Sequence, residues 1–159
     1  MPTIELVRRV AAPPERCFDL ARSIELHEHS TAATGERAIA GVTSGLIGMD
    51  ESVTWSARHF GVRQTLTSRI TAFDRPHHFR DEQVRGAFAG FEHDHWFEPD
   101  GAGGTVMRDT FTFRAPLGLL GRVVERLVLT AYMRRLLETR LDVVARAAEG
   151  EEWRRYLKQ

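Results

Sequence analysis

From Thr3 to Val10 apolar and polar side chains alternate, with Ile4, Leu6 and Arg8 on one face, until Ala11-Ala12-Pro13-Pro14 ends the run. A period of two is the signature of a strand with one buried face. Prolines fit the first turn of a helix, where no amide donor is needed, and Glu15 suits the positive end of the helix dipole. A short helix is therefore predicted over Pro14–Arg22, followed by a second helical piece over Ile24–His29 and a loop over Thr31–Gly35.

From Glu36 to Arg114 helical periodicity disappears and β-type runs alternate with turn residues. Six strands are predicted, over Arg37–Gly41, Met49–Phe60, Val62–Asp74, His78–Gly86, Phe91–Glu98 and Thr105–Arg114. Gly61 and Pro99-Asp100-Gly101 mark hairpins, because glycine reaches positive φ without a Cβ clash. Beyond Pro116, where Gly118 and Gly121 loosen the entry, residues from Arg122 to Glu149 contain neither Gly nor Pro and read as the longest helix. Leu120, Val123, Val124, Leu127 and Ala131 share one side of it, and Leu137, Leu141, Val144 and Ala148 continue that side toward the sheet. Glu151 to Gln159 forms a charged tail carrying Trp153, Tyr156 and Leu157. The reading is one α+β domain over residues 1–150 plus this tail: a strand, short helices, six antiparallel strands and a long terminal helix.

Composition narrows the function classes. The chain has 159 residues, 42% hydrophobic, with 22 Lys plus Arg against 22 Asp plus Glu. A domain of this size buries about 70% of the surface its unfolded chain exposes, so its core needs no disulfide or structural metal. Balanced charge points away from nucleic acid and anionic membrane surfaces. The lone Cys17 has no internal disulfide partner, which suits a reduced compartment. The apolar stretch from Leu117 to Met133 is broken by Arg122, Glu125 and Arg126, so no stable membrane insertion is expected and a cytoplasmic location is.

The segments IELVRRVAAPPERCFDLA, ESVTWSARHFGVRQTLTSRITAFDRP, FEHDHWFEPDGAGGTVMRDTFTF and APLGLLG resemble the START, birch-pollen-allergen-like and polyketide cyclase/dehydrase (SRPBCC) superfamily, from Ile4 to about Ala148. The resemblance implies a helix-grip fold, a seven-stranded curved antiparallel sheet wrapped around the C-terminal helix, with short helices after the first strand. It also implies a cavity between sheet and helix for lipids, isoprenoid quinones, aromatic polyketides, steroids or hormone-like molecules. Fold does not settle chemistry, which has to be argued from the residues that face inward.

Strand parity supplies that set. Val53, Trp55 and Ala57 share a face with Glu51 and His59; Val62, Gln64, Leu66, Ser68 and Ile70 share one; so do Phe91, His93, His95 and Phe97, and Met107, Asp109, Phe111 and Phe113. Phe79, Asp81 and Gln83 fall together in a segment that is polar on both faces. Glu51, His59, Gln64, His93, His95 and Asp109 stand out, because burying an unsatisfied polar atom costs about 1–3 kcal/mol and stability alone would exclude them. They pair with one another and water, orient a ligand, or do chemistry. The chemistry is proton transfer by His59, His93 or His95 oriented by Asp109 or Glu51, or metal binding by His93-x-His95 with His59 and a carboxylate.

The primary expectation is a hydrophobic or amphipathic small molecule as partner, without a cofactor. Trp55, Leu66, Phe79, Phe97 and Phe111 would form the apolar wall and His59, Gln64, His93, His95 and Asp109 the polar anchors, with Tyr132 and Met133 of the last helix as further cavity contacts. Arg134 would hold a ligand carboxylate or phosphate if it faces inward, or snorkel outward, with Glu138 one turn on. Leu46 and Ile47 in the glycine-rich loop Gly41–Gly48 would form an apolar lip, or the loop is a plain hairpin turn. His77-His78 is expected at an exposed turn. The alternatives are a cyclase/dehydrase-type enzyme and a protein-interaction module, with a homodimer among its forms, using Trp96 or the tail around Trp153 and Tyr156.

Overall fold

A computed structural model describes residues 1–115, 123 and 125–158. Strand β1 spans Thr3–Val10 and, with β2 (Arg37–Gly41), β3 (Ser52–His59), β4 (Val62–Asp74), β5 (His78–Arg85), β6 (Gly90–Pro99) and β7 (Thr105–Arg114), builds one seven-stranded antiparallel sheet ordered β1-β7-β6-β5-β4-β3-β2. Consecutive hairpins account for every pair except β1 with β7, which closes the chain's first strand onto its last. Between β1 and β2 lie α1 (Pro14–Ala21) and α2 (Ile24–Ser30). Pro14 opens α1 as its first helical residue, and the Ser23 hydroxyl caps α2 by accepting from the Leu26 amide at 3.2 Å. A short 3₁₀ turn, Ala32–Thr34, occupies the expected loop and ends on left-handed Gly35.

The predicted Met49–Phe60 strand is shorter at both ends. Asp50 and Phe60 both have positive φ, and the Glu51 amide donates to the Gly48 carbonyl, so a turn runs to Glu51 and the strand starts at Ser52. Gly86 follows β5 with φ 156°, where a Cβ would stand 3.0 Å from the Leu66 Cα and 3.2 Å from the Thr65 carbonyl oxygen, so backbone on both counts favours glycine.

Helix α3, Thr130–Glu149, packs against β1, α1 and α2, burying Leu137, Leu141, Val144, Ala145, Ala147 and Ala148. Its entry corrects the sequence reading. Glu125–Leu129 form a π-helical turn, whose extra residue per turn breaks the phase of the apolar stripe. Val123 and Leu127, expected on the packed side, are 55% and 73% exposed, and Ala131 is exposed as well. Gly118, Leu120, Gly121, Arg122 and Val124 lie outside the described residues.

The tail does not project. After Gly150 a single helical turn, α4 (Trp153–Tyr156), lies on α1 and α2: Arg16 stacks 4.3 Å from the Trp153 ring, and the Tyr156 hydroxyl is 3.1 Å from His29 Nδ1. The glycine-rich loop is also docked, since Ile24 and Ile47 amides donate to Gly45 and Arg22 carbonyls. Ile47 is therefore buried against the start of α2 rather than forming a lip. His78 departs from the exposed-turn expectation too: it opens β5, stacked on Trp96 with Nε2 at 2.7 Å from Asp94 Oδ1. No helix among the described residues is long and apolar enough to cross a membrane.

Candidate functional site

The concave sheet face and α3 enclose a cavity of about 320 Å³. Strand parity delivers much of its wall: Trp55, Ala57 and His59 from β3, Gln64, Leu66 and Ser68 from β4, Asp81 from β5, Phe91 and His93 from β6, and Phe111 from β7. Helix α3 supplies Tyr132, Met133, Leu136, Leu137 and Arg140, whose three- and four-residue spacing places them along one side. Phe60 in the β3–β4 turn, Ala87 and Phe88 before β6, and Leu129 also line it. Phe60 is 60% exposed, which makes this rim the apolar mouth. At the other end His27, Trp55, Ser68, Asp81 and Arg140 also border a smaller space of about 50 Å³, and there the polar groups gather.

The inner end is built by strand register. Asp81 stands directly opposite His93 across β5–β6, and His95 opposite Asp109 across β6–β7. Diagonal neighbours complete a ring of four side chains. Asp109 Oδ1 is 3.3 Å from His95 Nδ1, its Oδ2 is 3.3 Å from His93 Nε2, and Asp81 Oδ1 is 3.1 Å from His95 Nε2. Phe79 stacks on His95 at 4.3 Å and Phe111 meets His93 edge-on at 5.2 Å, so rings close both sides.

Burial would lower the pKa of His95, but the Asp109 charge and the bonds to Asp109 and Asp81 outweigh it and raise the value above ordinary imidazole. His93 moves the other way, lowered by burial and by its charged neighbour His95. Burial would raise Asp109, but the His95 charge and the His93 and His95 bonds hold its carboxyl far below the usual range. Asp81 is lowered in the same sense, its burial outweighed by the His95 bond and the two histidines.

Two further pairs were not deducible from strand parity. His27 on α2 stacks on Trp55 at 4.0 Å and hydrogen-bonds Glu36; burial would raise Glu36, and the His27 contact outweighs it. Across the cavity His59 Nδ1 lies 2.7 Å from the Tyr132 hydroxyl, whose pKa is raised by burial and by the Glu36 charge. Arg140 donates to the Ala21 carbonyl at 2.8 Å and borders both spaces.

Of the residues expected to meet a ligand, Trp55, His59, Gln64, Leu66, His93, Phe111 and Met133 lie on the cavity wall. His95, Phe97 and Asp109 do not, and Phe79 borders only the smaller space at the inner end. Phe79 and Phe97 pack on Phe18 at 5.3 and 5.4 Å, in the core between sheet and α1, while His95 and Asp109 lie behind His93. Glu51 leaves the inner set altogether, because it precedes the strand; it is exposed, and its carboxylate accepts from the Gly48 amide at 2.7 Å. His59 is outside the His93–His95 group, whose carboxylates are Asp81 and Asp109. Arg134 is exposed beside β1, with Nη1 at 3.4 Å from the Glu5 carbonyl, since one residue past Met133 turns about 100° away from the cavity side. The cavity's cation is Arg140, and its signal was available: it falls three residues after Leu137 and four before Val144.

The chain superposes on an aromatase/cyclase, Zhui, from a Streptomyces species, with a TM-score of 0.72, 20% identity, and 99% of this chain and 96% of that one covered. A Thermus thermophilus protein gives a TM-score of 0.71 at 21% identity over 92% of this chain and 99% of that one. A major latex-like protein from Panax ginseng gives 0.64 at 14% identity, covering 93% and 99%. At these identities the likeness establishes the fold. No curated protein matches in sequence. The family model described as polyketide cyclase / dehydrase and lipid transport matches residues 1–149, and the chain, with its helix-grip architecture, belongs to that family.

Proposed function

We propose that the protein binds a hydrophobic or amphipathic small molecule in this cavity, with the apolar part toward Phe60, Phe88 and Leu129 and the polar end toward His27, Asp81, His93 and Arg140. The carrying observation is one space of about 320 Å³, apolar at its mouth and bearing ionisable groups at its inner end. Small-molecule sites combine such predominantly apolar walls with a few convergent polar groups. The inner end offers a cation in Arg140 and acceptors in Asp81 and Glu36, which suits a ligand head group carrying both donors and acceptors.

Ala57→Trp places an indole in the cavity and supplies the test. The wild type should bind anilinonaphthalene sulfonate saturably at one site, and native mass spectra should show one retained isoprenoid or fatty-acid adduct. A folded Ala57→Trp protein should lose both. Equal binding by the two proteins would refute the cavity as the site.

A second reading is proton-transfer chemistry of the cyclase/dehydrase kind, favoured by the His59–Tyr132 pair, an imidazole and a phenol 2.7 Å apart on the cavity wall. An imidazole beside a phenol supplies a proton acceptor and a proton donor within reach of one bound molecule. On a polyketide-like carbonyl substrate, turnover should fall sharply in His59→Gln with the fold retained; unchanged turnover would end this reading.

A further inference from the structure

We propose that Asp81, His93 and His95 form a binding site for one divalent first-row metal ion, Zn²⁺ being the representative, reachable from the cavity. One ligand atom from each of the three residues lies within 4.8 Å of the others. Asp81 Oδ1 stands 3.1 Å from His95 Nε2 and 3.8 Å from His93 Nδ1. Ligands held about 2.0–2.2 Å from a tetrahedral zinc are themselves about 3.3–3.6 Å apart, so the two separations from Asp81 need only small adjustments, and the two imidazole nitrogens lie within 4.8 Å of each other. Two imidazoles and a carboxylate form an accepted donor set for such ions.

The second observation is what stands behind the histidines. Asp109 engages the remaining nitrogen of both rings, His93 Nε2 and His95 Nδ1, each at 3.3 Å. Metal-bound histidines commonly donate their other N–H to a carboxylate, which fixes tautomer and ring direction. With Asp109 accepting from both, His93 turns an Nδ1 lone pair toward Asp81, at 3.8 Å, beyond hydrogen-bond range. A lone pair and a carboxylate facing each other across that gap are complemented by a cation. The Asp81 and Asp109 carboxylates would offset the ion's two charges, against the opposing charge of Arg140, which acts on Asp81 and His95 and is held by the Ala21 carbonyl. Asp81 and His93 both line the cavity, so water or an oxygen of a bound molecule completes the coordination from there. The site stands whether or not the cavity takes an organic ligand.

The experiment is calorimetric titration of the chelator-treated, full-length protein with ZnCl₂, repeated with Co²⁺ to follow its visible absorption. One equivalent should bind, with the visible bands of a four- or five-coordinate cobalt. His93→Gln and His95→Gln should lose saturation, Asp109→Asn should weaken affinity about 10–100-fold, and His77→Gln, at an exposed turn, should match the wild type. Ring ¹⁵N resonances of the wild type decide the matter even where a variant fails to fold: Zn²⁺ should shift His93 Nδ1 and His95 Nε2. Absence of a one-equivalent complex, binding that survives loss of either histidine, or unmoved ring resonances would overturn the proposal.

Discussion

His95 reaches diagonally from β6 to Asp81 on β5, closing a 3.1 Å contact between Nε2 and Oδ1 at the cavity's inner end. Because Asp109 occupies its other nitrogen, a metal-free His95 satisfies both carboxylates only as an imidazolium. At neutral pH, ring ¹⁵N shifts of the metal-free protein should report His95 doubly protonated and His93 neutral. Asp81→Asn should lower the His95 pKa, and an unchanged value would show that the Asp81 contact contributes nothing.

The two histidines give stability a maximum near pH 6.5, the ordinary imidazole value. His95 is raised in the fold, so its contribution is complete below 6.5 and is lost as pH rises through the folded value. His93 is lowered, so the unfolded chain takes up a proton first and stability declines as pH falls below 6.5. Asp81 and Asp109 add a steeper loss as pH falls through 3.8 toward their depressed values. Urea midpoints of metal-free protein against pH should show both limbs, with His95→Gln flattening the alkaline one.

Phe18 is the hinge of packing between α1 and the sheet. It is fully buried, with Phe73, Phe79 and Phe97 edge-on at 5.2, 5.3 and 5.4 Å. Phe18→Ala should cost about 3–5 kcal/mol in chemical denaturation. Val7→Ala, on the exposed side of β1, should stay within about 0.5 kcal/mol.

Arg140 and Arg134 are six residues apart on one helix yet should behave oppositely. Arg140→Gln should weaken binding of an acidic probe such as anilinonaphthalene sulfonate, because its guanidinium borders the cavity. Arg134→Gln should leave that affinity unchanged. Equal effects would remove the basis for Arg140 as an anchor.

The docked tail predicts a measurable contribution from Trp153. Its ring takes Arg16 at 4.3 Å and Arg154 at 4.7 Å, and exposed cation–π contacts contribute about 0.5–1 kcal/mol. Trp153→Ala should lower the urea midpoint by that order, whereas an unaltered midpoint would mean the turn adds no stability.

What the sequence determined by itself was where the seven strands lie and, for β1, β6 and β7, which face turns inward. A period of two is local, so Phe91, His93, His95 and Phe97 point one way whatever lies beside them, and Met107, Asp109, Phe111 and Phe113 likewise. Partnership was not local. That Asp81 sits opposite His93, and Asp109 opposite His95, depends on hairpin register, and β5 carried too many polar residues on both faces to single out Asp81. Helix periodicity located the buried stripe from Leu137 to Ala148, but the π-helical turn at Glu125–Leu129 reset its phase upstream, leaving Val123 and Leu127 exposed. The His59–Tyr132 pair joins segments 73 residues apart, which meet only when the sheet curls beneath α3. Only tertiary structure could set which groups share the cavity, because that choice is made by the closure of strands and helix rather than by any spacing along the chain.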